Sequence, residues 1–222
     1  MCGRFVTVIP AEELKAIFGL IEKPPVEPRY NVAPTQSAGV IRCCDDSNHN
    51  RLDFMKWGLV PSWSKDVSAG SHMINARSES VVEKPAFRQA IKYRRCIVPV
   101  SGFYEWEHSG PQKQPYYFYM ADGSPMCFAG IWEAWKSPDG STLETFSILT
   151  TAANKLIAPL HDRMPVIIPP EEHALWLNRN MHDTHLLEHL YQPFPPGLIA
   201  CHKISTLVNN TRVDSPACIE EI

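Results

Sequence analysis

No stretch of this 222-residue chain approaches the ~18 uninterrupted apolar residues that a membrane-spanning helix requires, so no such helix is expected. Nor does an apolar run of signal-peptide type follow Met1-Cys2-Gly3-Arg4-Phe5, and a cytoplasmic protein without membrane contact is the expectation. Cys-x-x-Cys pairs are missing too. The seven cysteines (2, 43, 44, 96, 127, 201 and 218) are odd in number and irregular in spacing, which argues against a disulfide framework and against a zinc cluster. Most of them read as small buried hydrophobes. Surplus charge is also scarce: 21 basic against 24 acidic side chains leave a net charge of −3. That excludes coating of DNA by bulk attraction but leaves room for a locally basic groove. Repeats, low-complexity segments and linker-like shifts of composition are absent, which predicts one domain over residues 2–222 and a monomer.

What is present is an ordinary globular mixture, 44% hydrophobic and 20% charged, punctuated by 20 prolines. Strand-like runs rich in Val, Ile, Tyr, Phe and Trp cover 38–43, 51–60, 95–100, 103–107, 116–121, 126–135, 143–150, 165–168 and 198–204. Gly110 and Ala121-Asp122-Gly123-Ser124 mark hairpin turns. Short helices have start signals. Pro10 opens one that stops at Gly19 and buries Leu14, Ile17 and Phe18; Pro85 opens another through about Tyr93. Thr151 caps a third over Leu156 and Ile157, Pro170-Glu171-Glu172 starts a fourth, and Asp183 caps a fifth over Leu186, Leu187 and Leu190. Many short strands with helices inserted predict a mainly antiparallel α+β domain.

Cys2 stands out by position. If Met1 is removed, residue 2 carries an α-amine of pKa ~7.7–8.0 and a thiol of pKa ~8.5 on adjacent carbons. The amine adds to an aldehyde to give a Schiff base, and the thiol closes onto that imine as a five-membered thiazolidine, an intramolecular step favoured by proximity. By position alone, a small residue tucked into a strand is the simpler account of Cys2. His182, His185 and His189 share a helix face, but no cysteine or carboxylate pattern completes a metal site there, and a solvated face is expected. Cys43 and Cys44 point to opposite faces of a strand and receive no role.

Six motifs occur in order: Met1-Cys2-Gly3-Arg4-Phe5, Arg29-Tyr30-Asn31-Val32-Ala33-Pro34, Trp57-Gly58-Leu59-Val60-Pro61, Ile74-Asn75-Ala76-Arg77-Ser78-Glu79, Gly102-Phe103-Tyr104-Glu105-Trp106 and His161-Asp162-Arg163. Together they resemble the SRAP family, the SOS-response-associated peptidases. The resemblance spans about residues 2 to 165; beyond His173 no comparably specific motif appears. It implies a single α+β domain with a barrel-like β core that binds single-stranded DNA and crosslinks to the open aldehyde of an abasic site. It also implies self-removal of Met1; separately, no cofactor or metal is expected. In its terms Cys2 is the nucleophile, Glu105 the acid/base, Asn75 the holder of the sugar, and His161 the group that stabilises and processes the crosslink. Arg4, Arg77 and Arg163 match phosphate contacts, while Trp63, Trp106 and Pro34 stack on or wedge between bases.

The Schiff-base stage also opens a route to strand scission by β-elimination, a weak lyase activity. Two other readings stay open. One is an N-terminal-nucleophile peptidase with the same side chains in a peptide cleft; the other is a non-catalytic reader of modified bases, in which Cys2 is dispensable.

Overall fold

The computed structural model describes residues 2–44, 49–107 and 113–222. Twelve strands are present among them: β1 Phe5–Thr7, β2 Arg29–Val32, β3 Ser37–Cys43, β4 Asn50–Trp57, β5 Asn75–Arg77, β6 Arg95–Val100, β7 Gly102–Glu107, β8 Gln114–Met120, β9 Met126–Lys136, β10 Thr142–Ala152, β11 Arg163–Pro165 and β12 Ile199–Lys203. Three short α-helices accompany them: α1 Ala11–Phe18, α2 Ala90–Tyr93 and α3 His173–Leu177. The class is α+β.

Five strands close into a barrel. β4 pairs with β3, β3 with β6, β6 with β9 and β9 with β10, all antiparallel, and β10 returns to β4 in parallel register at Thr145↔Lys56 and Phe146↔Trp57. Closure leaves β10 without an open edge over this stretch, which removes an aggregation-prone row of unpaired backbone groups. A second sheet runs in the order β12-β8-β7-β1-β2. Side-chain alternation then divides the core. Val40, Trp57, Val98, Phe128 and Phe146 pack with Phe5, Phe103 and Phe118 of the second sheet. Ile41, Ile97, Ile131 and Leu149 pack instead with Leu14, Phe18, Ile91 and Trp176 on the helices. β6 is therefore buried on both faces along its whole length.

Helix ends differ from expectation in instructive ways. α1 starts after Pro10 and stops at Gly19, which takes the left-handed conformation (φ +61°) that ends many helices. Ile17, expected in the core, is 39% exposed, because Leu14 and Phe18 alone define the buried stripe. The helix expected from Pro85 is reduced to α2, since residues 84–89 form overlapping turns, with Phe87 N–H and Arg88 N–H both donating to the Lys84 carbonyl. Thr151 lies inside β10 and caps nothing. The following turn is capped by Asn154, whose Oδ1 accepts from the Leu156 and Ile157 N–H groups at 3.1 Å. Asp183 does cap its segment, accepting from His185 N–H, but the segment is a 3-10 helix over Thr184–Tyr191 that buries Leu187 and Leu190 and leaves Leu186 exposed.

The turn at 121–124 is present, yet it connects β8 of one sheet to β9 of the other, so it is a crossing between sheets and not a hairpin. Gly110 falls outside the described residues; the strands that flank it, β7 and β8, do pair antiparallel. His182, His185 and His189 have separate neighbours: the Tyr93 ring, Glu188 and Glu172. Among the described residues, no helix is long and apolar enough to cross a membrane.

The loop from β4 to β5 is held shut at its base. Leu59 N–H donates to the Met73 carbonyl, and Gly58, at φ +122°, backs onto Gly70 so closely that a Cβ on it would stand 2.5 Å from the Gly70 oxygen. Both the left-handed φ and the missing side chain are required here. Gly58→Ala is expected to destabilise the fold by about 1–3 kcal/mol, read as a lowered urea midpoint with an unchanged m-value; an unaltered midpoint would show that this contact relaxes freely.

Candidate active site

β10 is the element that assembles the site. Past Phe146 it leaves β4 and pairs in parallel with β5 at Ile148↔Asn75, Leu149↔Ala76 and Thr150↔Arg77. Past Ile148 its other edge leaves β9 and takes β11, at Thr150↔Pro165, Thr151↔Met164 and Ala152↔Arg163. One end of one strand thus brings Asn75 and the His161–Arg163 turn side by side.

Cys2 lies just ahead of β1 and is fully buried beside Phe5 and Trp57. Its carbonyl accepts a 2.9 Å hydrogen bond from Asn75 Nδ2, and its Sγ sits 4.0 Å from the Arg4 carbonyl. Burial, reinforced by the negative charge of Glu105, pushes the Cys2 thiol well above its ordinary range. The thiol is therefore held protonated, and its proton must move before sulfur can attack.

Glu105 owes its environment to strand alternation. Along β7 it shares a face with Phe103, which packs into the core between the sheets, whereas Tyr104 and Trp106 face the other way. The carboxyl is 3% exposed, and burial raises its pKa to about 7, with Asp162 nearby pushing in the same direction. Near neutral pH it both gives and takes a proton readily.

Asn75 spends its Nδ2 on Cys2, while its Oδ1 is buried and has no hydrogen-bond partner among the described residues. An unmet buried acceptor costs free energy, and a ligand hydroxyl would satisfy it. His161, half-buried, accepts the Arg163 backbone N–H at Nδ1 (2.9 Å), and Asp162 Oδ1 stands 2.9 Å from that same nitrogen. One nitrogen cannot accept from an N–H and donate to a carboxylate at once. The amide always carries its hydrogen, so in the neutral ring Nδ1 is the acceptor and the proton sits on Nε2.

The expected DNA contacts separate into two groups. Arg77 is exposed on the same face of β5 as Asn75 and forms no ion pair among the described residues. Trp63 is 66% exposed on the β4–β5 loop, whose neighbour Ser64 is pinned by its carbonyl to Trp135 Nε1 at 2.7 Å. Pro34 is half-buried ahead of Thr35, a residue at φ +70°. Arg163, by contrast, grips Glu79 with both terminal nitrogens (2.6 and 2.8 Å) and also donates to the Thr150 carbonyl. The guanidinium beside it holds the Glu79 carboxyl below its ordinary value. Arg4 and Trp106 face away from Glu105. Arg4 donates to Asn31 Oδ1 (2.6 Å) and the Val208 carbonyl (2.8 Å), and Trp106 donates to Asn209 Oδ1 (2.7 Å). Glu79, Asn31 and Asn154 received no role from the sequence. Their one signal is polarity inside a strand-like or turn-forming run, which becomes informative only when the partner is known.

A buried cysteine near the amino end, with an amide bonded to its carbonyl and a buried carboxyl beside its thiol, sits between the barrel and the second sheet of an α+β protein. The family model for SOS response associated peptidase (SRAP) matches residues 1–211, and the chain belongs to this family. It is 38% identical over 224 residues to the abasic site processing protein YoqW of Bacillus subtilis (strain 168), covering 99% of each chain. With the abasic site processing protein HMCES of Xenopus tropicalis it shares 31% over 225 residues, 88% of this chain and 67% of that one. A crystal structure of a protein from Bacteroides thetaiotaomicron superposes with a TM-score of 0.87 at 28% identity, covering 100% of both chains.

The raised pKa of Glu105 sets a pH dependence with a definite sign. Between its ordinary value of 4.5 and about 7, the folded state keeps a proton that the unfolded chain has released. Stability therefore falls as pH rises through this window. Glu105→Gln lacks the titration, so its stability relative to wild type is expected to improve between pH 5 and pH 8, by on the order of 3 kcal/mol. Urea melts at the two pH values check this; a difference that stays flat with pH would show that the carboxyl is not desolvated.

Proposed function

We propose that this protein processes abasic sites in single-stranded DNA by forming a covalent thiazolidine through Cys2. Removal of Met1, in keeping with the peptidase in the family's name, exposes the Cys2 α-amine. The amine adds to the C1′ aldehyde of the ring-opened sugar and water leaves as the C=N bond forms. The thiol then adds across that bond: sulfur bonds to C1′, the C=N electrons return to nitrogen, and the thiol proton is taken up by Glu105 and delivered to nitrogen. The Nε2–H of His161 supplies or recovers a proton at the sugar oxygen when the ring opens or the link reverses. Asn75, through its open Oδ1, holds a sugar hydroxyl.

One observation carries this reading. Cys2 is fixed by Asn75 and lies within the field of a carboxyl of pKa about 7. A protonated, buried thiol is a poor catalyst of peptide cleavage in trans, but it is well placed for a ring closure in which nucleophile and electrophile share one molecule. The names carried by the relatives, abasic site processing proteins, agree with it. Strand scission by β-elimination competes only while the Schiff base persists, so closure of the ring suppresses it. Arg77 and Trp63 meet the phosphates and bases of the strand.

Incubation with a single-stranded oligonucleotide bearing one abasic site is expected to yield a heat-stable adduct by intact mass, with Met1 absent from the modified chains. Cys2→Ala should yield none; an equal yield from that variant would refute the assignment. Arg77→Gln is expected to weaken binding of undamaged single strands and to lower the slope of log K against log salt by about 0.7, one single-strand phosphate contact. An unchanged slope in a filter-binding titration would remove Arg77 from the interface.

A further inference from the structure

The segment Arg29-Tyr30-Asn31 has no part in the chemistry above, yet each of its three residues bonds to the far end of the chain. Asn31 is fully buried. Its Nδ2 donates toward the carbonyls of Val208 (3.2 Å), Asn210 (3.1 Å) and Val213 (2.7 Å), and its Oδ1 accepts from Arg4 Nη1. Asp214 accepts from Arg29 Nε and from the Tyr30 N–H, and Tyr104 donates its hydroxyl to the Tyr30 carbonyl at 2.6 Å. Residues 206–214 thereby form a strap across the outer face of the second sheet, closed by Trp106 Nε1 on Asn209 Oδ1.

Arg4 is where this strap reaches Cys2. Its guanidinium is bonded to Asn31 and to Val208 of the strap and lies 5.7 Å from the Trp106 ring, while its carbonyl accepts from Tyr104 N–H and faces the Cys2 thiol. Burial lowers the pKa of the Arg4 side chain, and no carboxylate bonds to it among the described residues, so neutral carbonyls and the Asn31 amide are what hold it. β1 is three residues long, with an irregular register against β2 between Phe5 and Thr7. Ladder hydrogen bonds alone give residues 2–4 little support, and the Arg4 tether makes up the deficit.

We propose that Asn31 is a positioning residue which, through Arg4 and the C-terminal strap, sets the place of Cys2 against Glu105 and Asn75. The inference rests on the crosslinking reading and extends it to residues that touch neither DNA nor the sugar. It assigns the Arg4 side chain to holding the cysteine in place of gripping phosphate.

The test compares wild type, Asn31→Ala, Asn31→Asp and Arg4→Ala by single-turnover crosslinking to an abasic single-stranded oligonucleotide over a range of concentrations. Asn31→Ala and Arg4→Ala are expected to lower the rate at saturating DNA by about tenfold or more, with the half-saturating concentration within about twofold of wild type, since loss of placement and not of affinity is the defect. Asn31→Asp keeps an acceptor for Arg4 but turns an oxygen toward the Val208, Asn210 and Val213 carbonyls, so it should be slowed about as much as Asn31→Ala. Free glyceraldehyde, a small aldehyde that reaches Cys2 without binding as a strand, should likewise form its adduct more slowly with Asn31→Ala and Arg4→Ala than with wild type, by intact mass, because the same proton transfer at Glu105 is misplaced. A folded Asn31→Ala protein with the wild-type crosslinking rate overturns the inference; should that variant not fold, the same result from Arg4→Ala does so. A rise in half-saturating concentration with an unchanged maximal rate also overturns it, assigning Arg4 to the DNA. Absence of any adduct from wild type overturns the crosslinking reading itself.

Discussion

The structure depends on β10 changing partners partway along its length. An eleven-residue strand rises about 35 Å at ~3.3 Å per residue, more than a small barrel needs for closure. Its first half closes the barrel between β4 and β9; its second half is free to take β5 and β11. That surplus gives Asn75 and His161 fixed positions relative to each other although 86 residues of chain separate them. The second sheet then has to deliver only Cys2 and Glu105 to the same end, which the β1–β7 register at Phe5↔Phe103 does.

The electrostatics follow from this placement. Two side chains whose charged forms prefer water, the Cys2 thiol and the Glu105 carboxyl, share one dry space, and both are pushed toward their neutral forms. In water the carboxyl would be a weak base, long deprotonated near neutral pH. Here it titrates where the thiol proton must be moved. At His161 the Arg163 amide, bonded to Nδ1, fixes which nitrogen of the neutral ring carries the proton.

Most of the fold was legible in the sequence, because nine strands have runs of β-branched and aromatic residues long enough to show. Seven of them match to within about two residues at each end, whereas the barrel was legible only through the family resemblance. The three strands that were not anticipated are β1, β2 and β5, and they carry Phe5, Asn31 and Asn75. Each spans three or four residues, too short for alternation to register, and each exists because a longer strand offers it an edge. The site was legible as a list of motif residues. Which face each one takes was not. Trp106 and Glu105 are neighbours in sequence and lie on opposite sides of β7, so only the register against β1 and β8 reveals that one lines the site and the other holds the strap.

The ion pair of Arg163 with Glu79 has a bearing on how long the protein stays on any one strand. A guanidinium that holds a carboxylate must exchange that partner before it can take a phosphate, and Arg4 is bonded to Asn31 inside the fold. On the crosslinking reading, intact DNA would then find Arg77 as an arginine without an ion pair among the described residues, and its hold would be brief. Discrimination would pass on that reading from grip to reactivity, with undamaged strand let go and an aldehyde retained by the bond it forms.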